Sequence, residues 1–576
     1  MSTRAEPSQP AHAAQSTGDI AARASGQAGF FFKAAFVVIV AATARFLFIN
    51  RFEIWLDEAY CFSVAHKSIT GILADLRLDN GPPLYYMSLH YWMRIFGESE
   101  AALRSLSAVL STAAVLVLVT WDTPWFSRRG RLLAGFILAI TPLDIYYAQE
   151  ARMYAPVTFL VVVSMVLLER GLRLGRMRDW SFFAVFTALA LYTSYVAVFL
   201  VPVGYAAILV ELAVTRRRGQ AARKLVRLVS AHAAAALLFL PWLPTFVAQP
   251  SGKATQWIRP MWQGSHKTLL PFQSLSLMTT GGAYYPKYLT NLYQGPGRRT
   301  SILKALETGQ EKGALLSMVS RIQPEIPLIT MAFVAACAVF VALRPPDASP
   351  YRLLLVSWVL LSFAVPIALS FLRPMFIVGR YELTGVPAFA VIVGIGFSRM
   401  RVAGRASCVA VGILLFLYTW TYAQSWSRVD VHRAKAAVIA RTASAGDVVF
   451  CTAFEYATAY YYAGPARDSL AWVTCPRDTV NHSAWIDFDR WLAPGWKAPS
   501  ASLEAEAANS LAEAVMRTPP GQALIVVRPP RPPERDRVMD SIVESAIKSA
   551  VESGTLIMDG PASAADIGVL VFRRPA

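Results

Sequence analysis

Two adjacent carboxylates, Asp57 and Glu58, stand in the run EIWLDEAY, shortly after an apolar stretch that begins near Phe30. Like charges this close repel one another and are costly to desolvate. An arbitrary acidic pair is a solvated loop feature. Here the flanks are Trp55, Leu56, Ala59 and Tyr60, an apolar, interfacial setting that favours a functional role. A carboxylate held there can take a proton from an attacking hydroxyl. A second constellation is YYAQEARMYA at 146–155. Its Glu150 and Arg152 form either a structural ion pair or a second acidic group beside Asp57, and Tyr154 belongs to the same run. A third is RPMFIVGRYELTGVP at 373–387. Arg380 there either snorkels to lipid headgroups or grips a phosphate through its guanidinium fork, with Tyr381 beside it. Lys253, Arg259, His266, Lys267 and Lys287 are further, unspecific candidates for phosphate contact.

The elements that must position these groups are mostly apolar. The chain has 576 residues, 55% hydrophobic and 16% charged, with a mean hydropathy of +0.41. A soluble domain is nearer a quarter charged. The fold class expected is a polytopic α-helical membrane protein with about eleven transmembrane helices and a C-terminal extracytoplasmic α/β domain. Apolar runs long enough to span lie at 30–49, 105–121, 132–148, 154–169, 181–194, 196–214, 226–248, 326–343, 352–372, 383–399 and 406–423. The fifth and sixth merge in the sequence, and the split between them is placed near Ser194. The net charge of +18 sits mainly in short gaps between the runs, which favours topology and anionic headgroups over nucleic acid. The gaps holding Arg128, Arg129 and Arg131, then Arg170, Arg173, Arg176 and Arg178, then Arg216 to Arg218 with Arg223, Lys224 and Arg227, and last Arg399, Arg401 and Arg405 alternate with less basic ones. That pattern puts them, and the N-terminus, in the cytoplasm.

Residues 1–29 are polar and small and are expected to form a disordered tail. The membrane domain then covers 30–423, with long outer segments at 50–104 and 249–325, and the outer domain covers 424–576. In the first outer segment Gly81, Pro82 and Pro83 make a stop. The run LYYMSLHYW after them, which includes Tyr85, has the spacing of a helix lying in the interface. In the outer domain, DVVFCTAF, QALIVVR, GTLIMDG and IGVLVFRR predict strands, and 454–463, 501–517 and 535–551 predict helices. RPPRPPERDR at 528–537 is expected to be a stiff extended connector. Cys337 and Cys408 fall in apolar runs as packing residues; Cys451 and Cys475 could pair in an oxidising compartment. There is no phosphate-binding glycine loop of the P-loop kind, no HExxH and no CxxC pair, so neither ATP, nor another nucleotide, nor a zinc site is expected. NHS at 481–483 matches a glycosylation acceptor pattern that is common by chance.

WLDEAY, GPPLYY, QEARMY, PWLP at 241–244 and RPMFIVGRY followed by Pro387, with GDVVF and YYYAG in the outer domain, together resemble the lipid-dependent glycosyltransferases of the GT-C fold. These include the bacterial aminoarabinose transferase of lipid A, the rhizobial galacturonosyltransferases and, more distantly, the protein O-mannosyltransferases. The resemblance implies a polyprenyl-phosphate sugar as donor, a lipid, glycan or protein hydroxyl as acceptor, and transfer at the outer face of a bacterial inner membrane. It implies catalytic roles for Asp57, as general base, and Glu150. It implies substrate-binding roles for Arg152, Tyr154, Arg380 and Tyr381; Glu58, Tyr85 and Lys287 are further substrate-binding candidates read from the residues themselves. A divalent cation held by Asp57 and Glu150 is a further expectation, and one base acting opposite the leaving group implies inversion. Two departures stand out: Ser194 replaces a histidine that many relatives carry, and Asp79 and Asn80 stand where some relatives place a lysine. The alternative is a flippase for the same lipid class, since buried charges and broken helices serve transport too.

Overall fold

The computed structural model describes residues 10–125, 127–214, 218–249, 258, 262–263, 265, 267–280, 336, 351–400, 431–452, 455–477, 500–530 and 534–575. Helix α1 (Pro10–Phe46) leads into three short helices, α2 (Leu56–Ala65), α3 (Ile69–Leu78) and α4 (Leu84–Phe96). The helical body follows as α5 (Glu100–Thr120), α6 (Arg128–Ile140), α7 (Pro142–Ala148), α8 (Tyr154–Leu174), α9 (Met177–Thr193), α10 (Pro202–Val214), α11 (Arg218–Phe239) and α12 (Leu243–Ala248). It continues as α13 (Leu270–Thr280), α14 (Tyr351–Ser370) and α15 (Val386–Arg399).

Among the described residues seven helical segments are long and apolar enough to cross a membrane, or eight if the bent pair α6–α7 counts as one. Pro142 opens α7 after a 59° bend, because a proline at the first helical position cannot continue the hydrogen-bond ladder behind it. Of the other expected runs, 181–194 is the 17-residue helix α9. The run 326–343, but for one residue, and the run 406–423 lie outside the described residues. The expected split near Ser194 is present: α9 ends at Thr193, Ser194 is extended, and a 3₁₀ turn spans Tyr195–Leu200. Apolar side chains on the outside of the bundle, such as Phe32 and Phe36 on α1 and Leu237 on α11, are exposed, as a lipid solvent requires. Inside, α15 packs on α6. A Cβ at Gly394 would stand 2.6 Å from the Ala134 backbone nitrogen, so this close approach needs glycine. The expected disordered tail is corrected in part: residues 10–29 continue α1 as helix. The stretch is rich in alanine, the best helix former.

The C-terminal domain is built from α16 (Val431–Thr442), β1 (Val448–Thr452), α17 (Glu455–Tyr462), β2 (Ala471–Cys475), α18 (Ala501–Arg517), β3 (Ala523–Val527), α19 (Glu534–Glu552), β4 (Ile557–Met558) and β5 (Val569–Arg573). The sheet order is β2-β1-β3-β5-β4, parallel on the first side and antiparallel on the second. The four expected strands are present, and β2 and α16 join them. The expected extended connector at 528–537 ends early, because Glu534 to Arg537 already open α19. Cys451 and Cys475 do not pair. Cys451 lies in register with Thr474, and Cys475 with Thr452. Successive strand residues face opposite sides, so the two thiols sit in different apolar layers and are free.

Candidate functional site

The start of α2 separates the two adjacent carboxylates. Both lie in the first turn, where the helix dipole favours negative charge. The Asp57 side chain keeps 20% exposure, the most in its ion-pair group. Glu58 turns inward and is fully buried. Its oxygens accept from Arg104 Nε and Nη2, both at 2.7 Å, and from the Ala151 amide at 2.8 Å. The rest of the Arg104 fork donates to the carbonyls of Ile49, Phe52 and Glu53. Glu58 was expected at the substrate; its buried, saturated bonds instead make it the anchor that fixes where α2 begins.

The QEARMY motif occupies the joint between α7 and α8. Arg152 donates from Nη1 to the Asp57 carbonyl and to Cys61 Sγ, each at 3.3 Å, and its Nη2 lies 3.5 Å from Asp57 Oδ2. Burial pushes the Cys61 thiol up to about 11, with Arg152 opposing, so it stays neutral. Tyr154 opens α8, and its ring lies under two cations: Arg152 at 5.6 Å and Arg380 at 5.5 Å, each within cation–π range. Tyr85 is buried in the apolar cluster of α2 and α4, edge-on to Tyr86 at 5.6 Å. Burial raises the Tyr60, Tyr85 and Tyr86 hydroxyls well above their ordinary range, leaving them neutral hydrogen-bonding groups. Glu150 is buried at the same joint, and its carbonyl accepts from the Arg152 amide at 2.8 Å.

Helix ends set that joint. A helix leaves its last four carbonyls without internal donors. Buried Arg45 of α1 donates to the carbonyls of Leu138 and Ala139 at the end of α6, to Ser111, and to Asp144 of α7. In exchange Gln149 donates to the carbonyls of Ala44, Arg45 and Leu47 at the end of α1. The two elements cap each other, and the QEAR turn is fixed between them.

Arg380 comes from the loop between α14 and α15. Its Nη2 donates to Asp57 Oδ2 at 3.1 Å. Gly379 has φ +91°, a backbone conformation open to glycine and strained for other residues. Tyr381 donates to the Met375 carbonyl at 2.8 Å and packs on Phe199 and Phe376.

Of the expected site residues, the structure brings Asp57, Arg152, Tyr154 and Arg380 together, with Tyr381 beside them. Glu58 points into the core, Tyr85 is buried among the apolar residues of α2 and α4, and Glu150 is buried at the joint between α7 and α8. Lys287 lies outside the described residues. The surroundings of Asp57 do not suit a divalent cation, because two guanidiniums within 3.5 Å of one carboxylate oxygen repel it. Among the described residues no group of three or more His, Cys, Asp or Glu is arranged so that it could hold a metal ion. Arg104, Cys61, Arg45 and Glu382 were not picked out from sequence. Arg104 and Arg45 carried the one available signal, a lone arginine in or beside an apolar run.

Residues 80–244 match the family described as dolichyl-phosphate-mannose-protein mannosyltransferase. No curated protein matches the chain. The fold is similar to that of ArnT from Cupriavidus metallidurans bound to undecaprenyl phosphate, with TM-score 0.52 and 13% identity over 95% of this chain and 98% of that one. It is also similar to the Archaeoglobus fulgidus oligosaccharyltransferase in complex with Zn and sulfate, with TM-score 0.50 and 12% identity over 86% of this chain and 68% of that one. The apo form of the latter gives TM-score 0.47 at 12% identity over 77% of this chain, which spans 64% of that one. The expected resemblance holds at the level of fold: this is a polytopic helical membrane protein with a C-terminal α/β domain, similar in architecture to ArnT.

Proposed function

We propose that the chain transfers a sugar from a polyprenyl-phosphate donor to an acceptor hydroxyl, with inversion, at the site formed by Asp57, Arg152 and Arg380. The observation that carries the reading is the meeting of Arg380 and Arg152 on one Asp57 oxygen, at 3.1 and 3.5 Å. Two guanidiniums against one carboxylate leave one positive charge over. A phosphodiester carries one negative charge, so a polyprenyl-phosphate sugar fits that surplus, and a guanidinium fork suits its oxygens. With the arginines turned to phosphate, Asp57 is released to take the acceptor's proton as its oxygen attacks the anomeric carbon. The sugar–phosphate bond breaks, and the charge that develops on the departing lipid phosphate is met by Arg380 and Arg152. Attack from the side opposite that phosphate inverts the anomeric centre. The match to the mannosyltransferase family, and the undecaprenyl phosphate bound by ArnT, support a lipid-linked donor. We place the site at the outer face of a bacterial inner membrane, from the charge pattern of the loops.

The test is a transfer assay with purified protein, polyprenyl-phosphate sugars and candidate acceptors. Release of free polyprenyl phosphate is expected, and Asp57→Asn is expected to lower it by about 10²-fold or more while the thermal midpoint stays within a few degrees of the parent. Near-normal turnover of that variant would remove Asp57 as the base. Movement of intact lipid across a vesicle without release would replace the enzyme with a flippase.

A further inference from the structure

The sequence RYE that follows Gly379 contains a carboxylate that the reaction above does not use. Glu382 is fully buried at the head of α15. Among the described residues it has no basic partner; it accepts from Ser274 Oγ at 2.6 Å and from the Gly379 amide at 2.8 Å. A buried carboxylate without a cation is costly and is held only where several donors converge. The donors here are specific. One is the amide of the residue with φ +91°, immediately before Arg380. The other is a hydroxyl on α13, more than a hundred residues earlier in the chain.

We propose that Glu382 is a positioning residue: by holding the Gly379 turn it aims the Arg380 guanidinium at Asp57, and through Ser274 it ties that aim to α13. The inference rests on the transfer reaction proposed above. The rest of the loop is pinned from below, by Ser370 Oγ accepting from the Phe376 amide at 2.8 Å and by Tyr381 donating to the Met375 carbonyl at 2.8 Å. Between those points Glu382 holds the Val378–Gly379 peptide through the Gly379 amide, and the next peptide is turned by the Arg380 amide donating to the Ile377 carbonyl at 3.2 Å. The Arg380 side chain is only 10% exposed and meets Asp57 at 3.1 Å, so a small rotation of the Gly379 turn swings the guanidinium out of reach. A misplacement of about 1 Å at a reacting site costs on the order of 10²-fold.

The experiment is a double-mutant cycle. Glu382→Ala, Glu382→Gln and Ser274→Ala are each made with Arg380 present and in an Arg380→Ala background. Transfer kinetics, affinity for undecaprenyl phosphate alone and the thermal midpoint are measured. Expected is a loss of about 10- to 100-fold in kcat/KM for Glu382→Ala, with most of it recovered in Glu382→Gln, whose amide oxygen can still accept from Gly379. Ser274→Ala should cost a few-fold and folds even if Glu382→Ala does not. In the Arg380→Ala background each variant should add less than about two-fold, because residues acting through one another are not additive. Equal losses in both backgrounds, or Glu382→Gln as impaired as Glu382→Ala, overturn the inference. If the parent transfers from no polyprenyl-phosphate sugar, the proposed function fails, and the lipid-affinity arm still decides whether Glu382 acts through Arg380.

Discussion

Asp57 and Glu58 are chemically alike and adjacent, yet Asp57 keeps 20% exposure and Glu58 is fully buried. The difference is made by Arg104, forty-six positions away, whose fork is filled by Glu58 and three backbone carbonyls. Breaking a buried, fully bonded ion pair from one side leaves an uncompensated charge and costs about 3–5 kcal/mol. Glu58→Ala is therefore expected to lower folding stability by about that much, seen as a large drop in thermal midpoint in detergent, with transfer lost alongside. Asp57→Asn removes a group with 20% exposure and should leave the midpoint nearly unchanged while turnover falls. A Glu58→Ala variant as stable as the parent would mean that Arg104 finds another anion and that α2 is anchored elsewhere. From sequence, the pair was legible as a place where chemistry could occur. The division of labour within it was not, because helix position alone puts both carboxylates in the same first turn.

At the scale of elements, apolar runs were legible because a bilayer demands about 20 residues of them. What the runs concealed was their interior structure. The stretch 132–148 reads as one span, and the structure bends it by 59° at Pro142. The carbonyls freed by that bend need donors, and they come from Arg45, far off in sequence, while Gln149 repays the end of α1. Strand β2 was missed for a related reason. AWVTC is short, and its partner, β1, lies about twenty residues before it, so its identity comes from pairing, not from local pattern. The exchange of caps gives a test at this scale. Gln149→Ala removes donors to three carbonyls and should cost about 1–2 kcal/mol. Hydrogen exchange at residues 47–51, the turns that follow α1, should quicken, and transfer should fall several-fold because Arg152 rides on the same turn. Unchanged exchange there would show that water caps α1 equally well.

At the scale of the whole molecule, motifs 95 and 323 positions from Asp57 meet it, which the sequence could argue only as a convergence on one membrane face. The part it did not reveal is how the C-terminal domain enters. Glu53 accepts from the His432 and Arg433 amides at 3.0 and 2.6 Å, which places a carboxylate on the first turn of α16, where a helix end favours an anion. Tyr462 receives the Ile54 amide at 2.7 Å and donates to Glu100 at 2.6 Å. Arg433 also pairs with Glu100, and Arg467 with Glu98 at 2.8 Å. All of these contacts fall on the residues that lead into α2 or into α5, so the domain grips the segment from which Asp57 projects. Glu53→Ala should uncap α16 and loosen that grip without unfolding either part. The expected outcome is a gain in protease sensitivity around residues 431–442, with a roughly 10-fold fall in transfer, the scale expected of a small misplacement at the site. A double variant of Glu98 and Glu100 to alanine should do the same, and should add little to Glu53→Ala, since both release one interface. If transfer in Glu53→Ala stays at the parent level while protease sensitivity rises, the domain is bound to the site's support without governing it, and the geometry of Asp57 is set by Arg104 alone.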